Sequence, residues 1–230
     1  MKRVRDQDRP GVYHEYIDRI GELLHGTVKR VAGGEIIVEL RDKVEASLPP
    51  TEQTRTERWS QGDRIRAVMI NVYERKGPPV EVSRTSPELL RRLLEEEVPE
   101  IRVGTVVIKS VARAPGEGAK IAVTSTKADV DPINACLGPK ASRLNAIVRE
   151  VRGERIDIVE WSDDLAVFAA RALMPAEVSQ VRVIDAELRL VEAIVSEDQL
   201  GSLSGKHGKN LRLADKLIGG RINIRTDTET

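Results

Sequence analysis

The chain has one cysteine, Cys136, among 230 residues, aromatic side chains at only 3%, no excess of charge of either sign and no long apolar run. Each shortage removes a class of protein. A single cysteine forbids an internal disulfide and cannot by itself make a cysteine-based zinc site. No stretch approaches the roughly 18 uninterrupted apolar residues of a membrane-spanning helix, and Met1 to Pro10 lacks the apolar centre of a signal peptide. A cytoplasmic address with no membrane partner is the expectation. With 37 Lys and Arg against 37 Asp and Glu, the formal net charge is zero. It stays near zero piecewise: +2 over 1–84, −2 over 85–99, +1 over 100–175 and −1 over 176–230. No segment is basic enough to hold a polyanion by bulk charge, so any nucleic-acid contact must come from local patches and backbone donors. Catalysis is short of material too: His14, His25 and His207 are scattered, Ser142 has no His or acid close in sequence, and the carboxylates lack metal-ligand spacing. No enzyme, cofactor or metal site is expected. What is present, 40% hydrophobic and 32% charged residues, suffices for packed cores.

The first twenty residues form a polar lead-in in which Val12 to Ile20 can make a short helix carrying Tyr13, Tyr16, Ile17 and Ile20 on one side. From Gly21 to Arg84 the pattern becomes short β-like runs between turn signals: Leu23 to Val31, Ile36 to Leu40, Ala46 to Leu48, Ile65 to Val72 and Val80 to Val82. Five such strands in so short a span describe a small closed barrel of OB type. Its surface offers the basic residues Lys29, Arg30, Arg64, Arg66, Arg75, Lys76 and Arg84, with Trp59 and Tyr73 as the aromatics. Arg64, Arg66, Tyr73 and Arg84 are the candidates for an RNA contact there. Residues 85–100 then read as a linker helix, with Ser86 as N-cap, Pro87 in the first turn, an apolar stripe of Leu89, Leu90, Leu93 and Leu94, and Pro99 as its end.

Beyond Glu100 the chain repeats itself. Cys136 to Leu144 aligns with Leu203 to Leu211 at an offset of 67, which also brings Val151 onto Ile218 and Gly153 onto Gly220. Two apolar strands precede each loop, Val103 to Val111 and Lys120 to Thr124 in the first copy, Val178 to Ile184 and Leu190 to Val195 in the second. The units are bounded at 101–162 and 163–230, and the leading helix of the second, Leu165 to Met174, is capped by Asp163 or Asp164. A Gly-x-x-Gly turn between two helices lets a phosphodiester backbone come close, while the next helix aims its unpaired N–H groups at the phosphates. This is the clamp of a KH domain, which holds about four nucleotides. The second loop has both glycines, as Gly205, Lys206, His207 and Gly208, with Lys209, Asn210 and Arg212 entering the helix; the first reads Gly138, Pro139, Lys140 and Ala141, followed by Ser142 and Arg143.

Together these features resemble the RNA-binding core of the NusA family of bacterial transcription elongation and termination factors. The resemblance runs from roughly residue 13 to 225. It is carried by Tyr13 to Arg19, Gly62 to Ala67, Ser83 to Thr85, Glu97 to Ile101, Lys120 to Val123, the Gly153-Glu154-Arg155-Ile156-Asp157-Ile158-Val159-Glu160-Trp161 run and Gly205 to Ala214. It implies an α+β multidomain chain, a five-stranded S1 barrel followed by two tandem type II KH domains, each a three-stranded sheet with helices on one face. It implies binding of nascent single-stranded RNA, with RNA polymerase and other Nus-type factors as partners, and control of pausing, termination and antitermination by a monomer without chemistry of its own. The family's N-terminal polymerase-binding domain has no counterpart beyond Val12 to Ile20, which looks like the end of its connecting helix. Ala141 replaces a loop glycine, Ser86 stands where the family often has His, and Gly220 where it usually has Trp. A diverged scaffold working through protein contacts is the alternative these departures leave open.

Overall fold

The structure, a computed structural model, describes residues 9–74, 76–204 and 208–227. They divide into two compact units, 1–93 and 94–230. In the first, β1 (Leu23–Ala32), β2 (Glu35–Leu40), β3 (Glu45–Leu48), β4 (Arg64–Val72) and β5 (Val80–Ser83) close a barrel in the order β1-β2-β3-β5-β4. Closure leaves no open sheet edge. Register shifts at Val28/Arg30 and Met69/Asn71 mark the bulges that bend β1 and β4. Gly26 lies where a Cβ would come within 2.4 Å of Val38 and 2.8 Å of the Glu39 carbonyl, so the strands approach here only because the side chain is missing. Alternating residues such as Ile36, Val38, Ile65, Ala67 and Met69 fill the interior.

The lead-in docks on this barrel. Helix α1 (Arg9–Tyr16) continues as a 3₁₀ turn, Ile17–Arg19. Tyr16 is buried in the barrel core, and its hydroxyl donates to Asp42. Burial first, and that bond second, push the phenol above its ordinary range. Ile20, expected on the same side, is 46% exposed, because the tighter turn rotates it off the helical stripe.

Helix α2 (Pro87–Glu97) begins where the Glu88 N–H donates to Ser86 Oγ at 3.2 Å, and it buries Leu89, Leu90, Leu93 and Leu94 completely. Burying each such leucine contributes about 1.5–3 kcal/mol. Pro99 does more than end this helix: it opens a short second one, α3 (Pro99–Arg102), since proline fits the first helical position.

The second unit holds two sheets of identical topology. In the first KH domain β6 (Val106–Ala114) runs antiparallel to β7 (Gly118–Ser125), which pairs in parallel with β8 (Arg155–Glu160). In the second, β9 (Gln180–Asp185), β10 (Leu190–Val195) and β11 (Arg221–Thr226) repeat the pattern. The first strand starts three residues later than the apolar pattern suggests, because Gly104 turns the chain at φ +78°. Helices α4 (Pro132–Leu137) and α5 (Ser142–Glu150) flank the first loop; α6 (Leu165–Ala172) leads the second domain, and α7 (Leu200–Ser204) and α8 (Lys209–Ile218) flank the second loop.

One core joins the two KH domains. Ala112, Ala122 and Val159 of the first sheet pack with Phe168, Leu213, Ala214, Leu217 and Ile218 of the second domain. The small alanines let α8 lie against the sheet, and Ser110 Oγ donates to the Leu217 carbonyl at 3.0 Å. Lys120, fully buried, donates to the Met174 carbonyl at 2.6 Å and approaches Asp157 at 3.3 Å. Its burial holds the ammonium below the usual lysine range, with Asp157 opposing that shift.

Candidate nucleic-acid interface

Local backbone chemistry shapes the first loop. Helix α4 ends at Gly138, with φ +69°, and Lys140 and Ala141 follow at φ +52° and +56°. A Cβ at Gly138 would lie 2.6 Å from Arg143 Cγ, so only glycine fits there. Arg143 is held by Glu100 at 2.8 Å and by the Ala135 carbonyl at 2.7 Å. It braces the loop from behind and is half-buried. Lys140 and Ser142 are exposed, and Lys140 has no partner among the described residues.

The second loop repeats this shape where it is described; Gly205, Lys206 and His207 lie outside the described residues. Gly208 enters α8 at φ +67°, ψ +25°, and Ala141 enters α5 at φ +56°, ψ +26°. The offset of 67 therefore preserves a left-handed entry even where glycine has become alanine. For an L side chain that conformation costs roughly 1–2 kcal/mol. A Cβ at Gly208 would meet nothing within 4 Å. Packing does not require glycine at that step; only the backbone angle and whatever approaches from outside do.

The helix starts differ in their capping as well. Asp131 caps α4 by accepting from the Ile133 and Asn134 N–H groups, and Asp164 caps α6 by accepting from Ala166 and Val167. Of the two residues offered as cap for α6, Asp164 is the one used. Neither α5 nor α8 has a side-chain cap at its N-cap position. Their first-turn N–H groups are thus left without the usual side-chain acceptor, beside the positive end of the helix dipole. Asn210 Nδ2 donates to the Leu173 carbonyl at 2.8 Å, fixing the start of α8 to the end of α6. Lys209 Nζ reaches the Glu117 carbonyl at 3.3 Å, and Arg212 is exposed.

On the barrel the candidates separate. Arg84 does not line a surface groove, contrary to the sequence reading. It is completely buried, its guanidinium is paired with Glu57, it donates to the Arg66 carbonyl at 2.7 Å, and it lies 5.2 Å from the Trp59 ring centroid. A buried charge is tolerated only when paired in this way. Tyr73 is half-buried, its hydroxyl accepting from Asn71 at 2.8 Å and donating to Glu81 at 3.0 Å. Arg64 is exposed and Arg66 half-buried on β4, opposite Thr27 and His25 of β1. Lys29 bridges Glu39 and Glu45, each at 3.0 Å; these bonds, Glu45 foremost, raise its affinity for the proton.

Three acids that the sequence reading left out turn out to organise the site: Glu100 behind Arg143, Glu117 beside Lys209, and Glu154. Glu154 forms a fully buried double contact with Arg113 at 2.8 and 2.9 Å and accepts from the Gly116 N–H at 3.0 Å, setting the β6–β7 turn. Its place inside the Gly-Glu-Arg-Ile-Asp run was the one signal available. Among the described residues no group of three His, Cys, Asp or Glu can hold a metal ion, and no helix is long and apolar enough to cross a membrane.

Comparison with known proteins agrees with this architecture. Residues 84–161 match the NusA-like first KH domain and residues 165–230 the NusA-like second KH domain. The chain is 45% identical over 229 residues to the transcription termination/antitermination protein NusA of Bacillus subtilis, covering 99% of this chain and 61% of that protein. The corresponding protein of Thermus thermophilus is 42% identical over 225 residues, covering 97% and 58%. That of Mycobacterium bovis is 39% identical over 235 residues, covering 99% and 68%. The chain thus spans about three fifths of the length of the first two relatives. With a barrel of OB topology, two KH domains of one register and identity of this extent, the chain belongs to the NusA family.

Proposed function

We propose that the chain is the RNA-gripping core of a NusA-type regulator. It holds single-stranded RNA by the phosphodiester backbone along the unit of residues 94–230, most firmly at the loop from Gly205 to Gly208 and less firmly at Gly138 to Ala141. Through that grip it modulates pausing, termination and antitermination, with nascent RNA, RNA polymerase and other Nus-type factors as partners and no chemistry of its own. Lys140, Ser142, Lys206, Lys209 and Arg212 supply charge and hydrogen bonds beside the loops, with Arg64 and Arg66 as an additional patch on the barrel. The carrying observation is the shared left-handed, uncapped entry into α5 and α8, set against the Asp-capped starts of α4 and α6. An uncapped helix start after a glycine-type turn is suited to a phosphate.

The test is RNA affinity as a function of salt for the parent and for a Gly205→Asp, Gly208→Asp double variant. Acids in a phosphate clamp repel the backbone, so the variant should bind at least about tenfold more weakly while remaining folded. Equal affinities for two folded proteins would overturn the proposal. A parent that binds no tighter than about 1 μM at physiological salt favours the scaffold alternative instead.

A further inference from the structure

We infer that Glu117, at the β6–β7 turn of the first KH domain, competes with RNA for Lys209 at the entrance of the second domain's clamp. The inference rests on the RNA-binding reading above and adds a residue to it.

Lys209 is the first residue of α8 and directly follows Gly208. A cation at a helix N-terminus is in the wrong place for the dipole, which favours an anion there. Glu117 supplies that anion from the neighbouring domain. Its carbonyl accepts from Lys209 Nζ at 3.3 Å, and its carboxylate Oε2 lies 3.5 Å from the same nitrogen. The turn that carries Glu117 is fixed. The Glu117 N–H donates to the Ala114 carbonyl at 2.9 Å, and the Gly116 N–H donates to Glu154, itself buried against Arg113. Gly118, the next residue, lies so close to α8 that a Cβ there would touch Lys209 Cδ at 3.8 Å and Leu213 at 3.9 Å. A rigid turn therefore holds a carboxylate against the lysine that adjoins the clamp.

The contact is exposed, with the Glu117 side chain at 58% and Lys209 at 31% of full accessibility. Such a pair is weak and screened by salt. That weakness is what a competitor needs, since a stronger pair would keep Lys209 away from RNA altogether. When a phosphodiester reaches α8, Lys209 exchanges Glu117 for the phosphate, and the Glu117 carboxylate is left without its cation. Occupancy of the clamp is thereby felt at the β6–β7 turn.

A double-mutant cycle tests this directly. Parent, Glu117→Gln, Lys209→Gln and the double variant are titrated, as full chains, with a fluorescent single-stranded RNA of mixed sequence and about a dozen nucleotides, long enough for two clamps of roughly four each. Glu117→Gln should tighten binding about two- to fivefold at low salt, and the gain should fade as salt screens the pair. In the Lys209→Gln background the same substitution should change affinity less than about 1.5-fold. An equal gain in both backgrounds would mean that Glu117 acts only as a general negative charge, and overturns the inference. No gain in the parent overturns it as well, and so does a folded Lys209→Gln variant that binds RNA as tightly as the parent. RNA that binds none of the four proteins overturns the clamp reading and this inference together. Both residues are solvent-accessible, so thermal melts should coincide and confirm that folding is not the variable.

Discussion

Lys120 of the first KH sheet and Glu192 of the second stand at the same step of one register, opposite Asp157 in one case and Asn223 in the other. The same register sets Ala112, Ala122 and Val159 against Arg182, Ile194 and Arg225. In the first sheet this face is small and apolar and receives α8, so Lys120 is buried and must bond to a carbonyl of the adjoining domain. In the second sheet it carries an ion pair between Glu192 and Arg225 at 3.0 Å, with Arg225 well exposed. One backbone thus serves once as an interface and once as an outer surface, and the side chains on alternate positions decide which. The strand ends differ in the same sense. Arg113 and Glu154, a buried pair, correspond in register to Val183, 43% exposed, and Gly220. At Gly220 a Cβ would lie 2.1 Å from the Arg189 carbonyl, so the second domain closes its turn by backbone approach where the first uses charge.

The largest effect should come from breaking the buried pair. Glu154→Gln leaves Arg113 without its carboxylate and should cost about 3–5 kcal/mol in urea unfolding, whereas Val183→Ala, at the position matching Arg113, should stay within roughly 0.5 kcal/mol. Next comes the closing of the turns. Gly220→Ala forces the Arg189 carbonyl to move and should cost about 1–3 kcal/mol. Gly153→Ala meets open space but keeps a positive φ, and should cost nearer ~1 kcal/mol by the same assay. The smallest effect is a pH dependence. Lys120 has a folded pKa below its ordinary value of 10.5, so in the interval between the two the unfolded chain binds more protons than the folded one. Stability contributed at this site should therefore rise as pH climbs toward that ordinary value. The urea midpoint of Lys120→Met should lack that rise.

Much of this comparison was legible beforehand, for reasons particular residues make clear. The strands of both KH sheets follow from apolar runs such as Leu190 to Val195, where burial and periodicity agree. The loop geometry follows from an offset that holds at the left-handed pairs Ala141 with Gly208 and Arg152 with Gly219, and lapses at Gly153, φ +90°, whose counterpart Gly220 is not left-handed. Charged residues were harder. Arg84, Arg143 and Lys209 read equally as free cations until the chain folds and sets Glu57, Glu100 and Glu117 beside them, 27, 43 and 92 residues away in sequence. Long-range pairing leaves no periodic trace, so a basic residue's sequence neighbours cannot tell whether its charge is already spent. Pro99 was half-legible: a helix stop and a helix start look alike at a proline.

The central claim is that α5 and α8 share a left-handed entry, at Ala141 and Gly208, and differ in how closely an RNA backbone can approach it. The exchange of Ala141→Gly and Gly208→Ala, each measured by single-stranded RNA affinity at fixed salt, tests it most directly. The account predicts that the first tightens binding and the second weakens it, each by about threefold or more, because a Cβ added at Gly208 enters open space and the one removed at Ala141 stands at the matching step. Affinities unchanged in both folded variants would contradict it.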